Sequence, residues 1–171
     1  HGMKPKHKAD GTPDVIYLQD LLDKEVGEGA SRVILPITDP YVVHHGALGS
    51  FATAYLTPEV DQAAVIAKLE ATNGIELVLD KTAAAEQFQL PADRIGDLVI
   101  VSGENQVLGT SADRHDLSGL EVPLRSHGGI SEQVVPFIVN VAMPDLPQKP
   151  TLRNFDAYYY ATRAAALVSA G

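Results

Sequence analysis

The strongest constraint on the fold lies between residues 49 and 79. Two short apolar runs, Gly49–Leu56 and Ile75–Leu79, flank a stretch that opens on Thr57-Pro58-Glu59 and closes at Gly74. Runs of that length read as strands. A hydroxyl followed by proline at the first helical position opens a helix, and glycine just past the last turn ends one. The spacing therefore predicts a β-α-β unit, with its helix running to about Thr72.

The rest of the chain fits an α/β plan. Val15, Leu18, Leu21, Leu22 and Val26 recur at helical spacing behind Asp14, and Gly27 stands where a helix would stop. Ser31–Ile37 reads as a buried strand leading into a loop at a site edge. Asp97–Ser102 and Gln106–Leu108 read as strands joined by a turn at Gly103-Glu104-Asn105, and Val134–Val139 as a final apolar strand. Pro144–Pro150 reads as an extended connector, and the alanine-rich Phe155–Val168 as a closing helix. Residues 110–133 lack periodicity and are rich in Ser, Gly, Asp and His, which marks a loop with work beyond connection. In such a sheet the chemistry gathers at strand ends.

Composition narrows the function. A length of 171 residues suits one domain with a sizeable core. The net charge of −9 opposes binding to a phosphate backbone, so nucleic acid is excluded as the expected partner. With no cysteine there are no disulfides or thiolate metal sites, and any zinc must use His, Asp or Glu. No apolar run approaches the ~20 residues of a membrane-spanning helix. A cytoplasmic protein without a membrane partner is expected.

Two segments carry chemistry-bearing residues. Arg125-Ser126-His127-Gly128-Gly129 follows His115-Asp116-Leu117-Ser118-Gly119 by a few residues. Imidazole is a metal ligand, and a glycine lets backbone pass close to a ligand because no Cβ obstructs it. Alone, the pattern is that of an ordinary loop histidine. The second segment is His1-Gly2-Met3-Lys4-Pro5-Lys6, a start without initiator methionine that looks like a cut within a longer chain.

The word beginning at His1 resembles the aspartate-histidine-glycine-methionine metal motif of the alkaline phosphatase superfamily, with the aspartate falling before residue 1. His127 matches the last metal histidine of that family. Pro36–Gly46, Arg94–Val99 and His115–Leu120 resemble the phosphonoacetate hydrolase branch, and the similarity runs from His1 to about Ala166. The resemblance implies that residues 1–171 are the C-terminal portion of one alkaline phosphatase-like catalytic domain, part of a larger sheet flanked by helices. It implies two Zn2+ ions, a threonine nucleophile upstream, and cleavage of the carbon–phosphorus bond of phosphonoacetate to acetate and phosphate. His1 would ligate the nucleophile-side zinc and His127 the other. No catalytic residue is expected within the segment, which alone would be inactive. Its partners would be a small phosphonate substrate and the upstream half of the enzyme, with a homodimer left open.

Other residues receive plainer readings. His115-Asp116 could ligate a metal by type, but is read as ordering its loop, with Asp116 accepting backbone N–H bonds. His44 and His45 point to opposite faces of an extended chain, so both do not serve one metal. His7, Lys4 and Lys6 read as solvated surface, with attraction of an anionic substrate as the alternative for the lysines. Arg125 reads as a salt bridge holding the loop, or else as a fork for carboxylate or phosphonate. Two further functions stay open: a nucleotide pyrophosphatase or phosphodiesterase, and a non-catalytic α/β interaction module.

Overall fold

The computed structural model describes residues 3–36, 48–140 and 151–169. In chain order its elements are β1 (Lys4–Pro5), β2 (Val15–Tyr17), α1 (Leu18–Val26), β3 (Ser31–Ile34), β4 (Phe51–Leu56), α2 (Gln62–Glu70), β5 (Ile75–Asp80), α3 (Lys81–Phe88), β6 (Leu98–Ser102), β7 (Val107–Gly109), β8 (Arg125–Ser126) and α4 (Asp156–Ser169). They fall into two compact units, residues 1–135 and 136–171.

The first unit is built on a four-stranded antiparallel sheet in the order β3-β4-β6-β5. Its centre is β6, whose five residues Leu-Val-Ile-Val-Ser are all buried. Leu98 and Ile100 pack on one face with Leu18 and Leu22 of α1 and Val65 and Leu69 of α2. Val99 and Val101 pack on the other with Ala84 of α3 and Ile95. Each buried Val, Leu or Ile side chain among these contributes roughly 1.5–3 kcal/mol relative to exposure. Both faces being covered explains why β6 reads as a continuous apolar run.

That central place corrects the β-α-β expectation. β4 and β5 do run parallel with α2 between them in sequence, but β6 lies between them and pairs antiparallel with both. The unit is split because the most apolar strand takes the position with most cover. The helix start also moves. Thr57-Pro58-Glu59 forms a turn, with the Val60 N–H donating to the Thr57 carbonyl, and Asp61 caps α2 by accepting from the N–H groups of Ala63 and Ala64. Aspartate caps at least as well as threonine. Val15–Tyr17, expected to be helical, instead pair parallel with β7 before α1 begins, and α1 ends where Gly27 takes a φ of 95°.

Helix α3 was not foreseen. Asp80 caps it by accepting the Ala83 N–H at 2.8 Å. The expected strand at Val134–Val139 is absent: no partner among the described residues pairs with it, and Val134 and Ile138 stand 95% and 88% exposed. A strand needs a neighbour to satisfy its backbone groups. In the second unit α4 matches the expected closing helix, and its Tyr160 meets Phe137 edge-to-face at 5.2 Å. Pro144–Pro150 lie outside the described residues. Among the described residues no helix is long and apolar enough to cross a membrane.

Candidate metal-binding loop

The backbone around His127 is held from two sides. On one, β8 pairs antiparallel with β1, Lys4 opposite Ser126 and Pro5 opposite Arg125. The Lys6 N–H donates to the Leu124 carbonyl at 2.8 Å, and the Arg125 guanidinium donates to the Met3 carbonyl. Arg125 thus holds the loop through a backbone carbonyl rather than a salt bridge. On the other side, the Ser50 N–H donates to the His127 carbonyl at 2.9 Å, and the Ser126 hydroxyl to the Leu48 carbonyl at 2.6 Å. His127 is half-buried.

Its two glycines do separate jobs. Gly128 adopts a φ of 105°, a left-handed value that a side chain rarely takes. At Gly129 a Cβ would stand 2.7 Å from Glu132 Oε2 and 3.3 Å from Ser50 Cβ. The close approach that the sequence suggested is present, but what is approached is a carboxylate of the protein itself. The Gly129 N–H donates to Glu132 Oε2 at 2.7 Å, and the Glu132 N–H returns to the Gly129 carbonyl at 3.2 Å.

Glu132 is buried, and so is its counter-ion. Lys6 has no exposed surface, and its ammonium donates to Glu132 Oε1 at 3.0 Å and to the Glu104 carbonyl at 2.7 Å. The Ser131 hydroxyl adds a bond to Oε1 at 2.9 Å. Burial alone pushes the Glu132 carboxyl up, but the Lys6 and Ser131 hydrogen bonds, the Lys6 charge and the Gly129 N–H outweigh it and hold it below the ordinary glutamate range. The solvated reading of Lys6 is therefore corrected. Buried and committed to two acceptors, it does not meet a substrate. Lys4 pairs with Glu104 at 2.9 Å nearer the surface.

The other histidines separate cleanly. His115 orders its loop as expected: its buried ring accepts the Thr110 N–H at Nε2, 2.9 Å away, and stacks on Tyr17. Asp116 Oδ1 accepts from the Ser118 hydroxyl and N–H, and these bonds hold its carboxyl below the usual range. His7 is half-buried, its Nδ1 2.9 Å from the Lys8 carbonyl. His1, His44 and His45 lie outside the described residues. Among the described residues no three His, Asp or Glu side chains gather as a metal site. Zinc wants three or four ligands, so His127 fits as one donor of a set rather than as a centre by itself.

Sequence reasoning missed Lys6 and Glu132. The signal for Glu132 was available: a glutamate three residues after Gly129 has the spacing of a capping box. Nothing local distinguishes Lys6 from Lys4 and Lys8.

Helices on both faces of an antiparallel sheet, with a histidine loop beyond its strands, make this a fold of the class that mixes helices and sheet. No family model matches it. Within that class the chain is similar to phosphonoacetate hydrolase from Sinorhizobium meliloti 1021. In the structure with phosphonoacetate the identity is 65% and the TM-score 0.85, over 96% of this chain and 40% of that one. In the structure with phosphonoformate the identity and coverage are the same and the TM-score is 0.86. The chain thus spans 40% of the length of the solved structures it matches.

Proposed function

We propose that the chain is part of a phosphonoacetate hydrolase, which uses water to split the carbon–phosphorus bond and release acetate and phosphate. The observation that carries this reading is the 65% identity, over 96% of the chain, to a hydrolase solved with phosphonoacetate. Water supplies the new oxygen on phosphorus, and the departing carbon takes up a proton to become the methyl group of acetate.

His127 is the residue we assign to a zinc ion, with His1 on a second. The pairing of Lys4 with Ser126 supports bringing them to one cleft. His1 stands three residues before Lys4 in the sequence. The remaining ligands, a threonine nucleophile and the residues that hold substrate are assigned to parts of the enzyme outside these 171 residues. When bound, two zinc ions supply an activated oxygen nucleophile and neutralise charge developing on the phosphoryl oxygens. The chain's own part is to orient the His127 ring, through a loop held by β1, Ser50 and Glu132.

The test is phosphate release from phosphonoacetate by the full-length enzyme and its His127→Ala variant. Turnover by the first, and its loss in the second with the circular-dichroism spectrum preserved, is the expected result. Preference for a nucleotide ester, or absence of firmly bound zinc in the active preparation, would overturn the assignment.

A further inference from the structure

We propose that Lys6 and Glu132 are positioning residues for His127. Lys6 fixes the carboxylate that holds the Gly129 N–H, and that carboxylate fixes the turn from which the His127 ring projects. The inference deepens the reading of His127 as a zinc ligand and rests on it.

Three observations carry it. The pair is enclosed, with Lys6 and Glu132 side chains 0% and 2% exposed. It joins positions 126 residues apart, one beside the segment that carries His1 and one in the turn after His127. It also divides its labour: Oε1 faces Lys6 and Ser131, while Oε2 is given to Gly129, where a Cβ would stand only 2.7 Å from it.

Stability alone does not call for ions here. Burying two charges costs desolvation that their attraction barely offsets, and apolar side chains of similar volume often hold such a place as well or better. What apolar side chains cannot do is accept the Gly129 N–H. A carboxylate there needs a buried cation, and Lys6 is that cation.

The experiment measures zinc affinity of the full-length enzyme by competition with a chelator, alongside its unfolding curve. Lys6→Met/Glu132→Leu removes both charges and the acceptor together. It should keep the fold and bind the His127-dependent zinc 10–100-fold more weakly, the loss usual when the support of a ligand is removed. Lys6→Met/Glu132→Gln keeps a carbonyl acceptor for Gly129 and should restore most of that affinity. Gly129→Ala tests the same link with both charges intact: its φ of −82° suits alanine, but the new methyl displaces Oε2. A similar loss is expected. In a His127→Ala background none of these changes should weaken zinc further.

Normal zinc affinity in both Lys6→Met/Glu132→Leu and Gly129→Ala, with His127→Ala impaired, overturns the positioning role and leaves the ligand assignment standing. An equal loss in the His127→Ala background also overturns it, since the pair then acts on the fold at large. Unchanged affinity in His127→Ala itself refutes the ligand assignment first and this inference with it.

Discussion

Replacing Lys6 alone by methionine isolates the buried ion pair. Methionine fills the space of the lysine stem but brings no donor. Glu104 loses a bond to its carbonyl and Glu132 loses the cation that pairs with it among the described residues, keeping the Ser131 hydroxyl and the Gly129 N–H. Breaking a buried pair from one side costs about 3–5 kcal/mol, because the remaining charge stays enclosed. At ~2–4 °C per kcal/mol for a chain of this size, the midpoint should fall by roughly 6–20 °C. Thermal and urea unfolding at neutral pH, followed by circular dichroism, measure both. The pH dependence is part of the expectation. Glu132 titrates below its ordinary value in the folded state, so its contribution is present above the unfolded pKa and is lost as pH falls through the folded one. The gap between wild type and Lys6→Met should therefore narrow on acidification below the ordinary glutamate range. Adding Glu132→Leu should recover most of the loss. A single variant within about 1 kcal/mol of wild type, the range of ordinary substitutions, would refute the reasoning. So would a double variant as damaged as the single one.

Three further outcomes are expected. Gly96→Ala should destabilise by about 3 kcal/mol, an overpacking cost, because a Cβ there overlaps Thr53 Oγ1 and the Ala54 carbonyl in the middle of the sheet; urea unfolding measures it. Asp61→Ala should cost about 1 kcal/mol and fray the first turn of α2, whereas Thr57→Ala should cost less, a comparison that amide exchange at Ala63 and Ala64 reads directly. His115→Ala should cost roughly 1–3 kcal/mol in the same assay by leaving the Thr110 N–H without its ring acceptor.

Much of the fold was legible where one residue settles a local question. Gly27 ends α1 because it reaches a φ of 95°, and the apolar run 98–102 announces a covered strand. What was not legible depends on partners far along the chain. No pattern within 49–79 tells that β6 will come between β4 and β5. Val134–Val139 has a strand's composition, but composition does not supply a neighbouring strand. Helix α3 is alanine-rich with little apolar periodicity, so its signal was the Asp80 cap alone. For the candidate site, His127 and its glycines could be singled out from type and spacing. The burial of Lys6 could not, because among three nearby lysines only tertiary packing decides which one turns inward.

The pairing of β1 with β8 also orders events in time. Contacts spanning more than a hundred residues close late, since the entropy of loop closure must be overcome before they form. A ribosome delivers Lys6 early and Glu132 long afterwards. Meanwhile the four-stranded sheet, whose last strand in sequence ends at Ser102, has all its pieces. An interrupted chain can therefore own the finished four-stranded sheet while β1 is still unpaired, with a lysine in water that completion would hide. Whether β1 is docked, and Lys6 hidden with it, reports whether synthesis has passed residue 132.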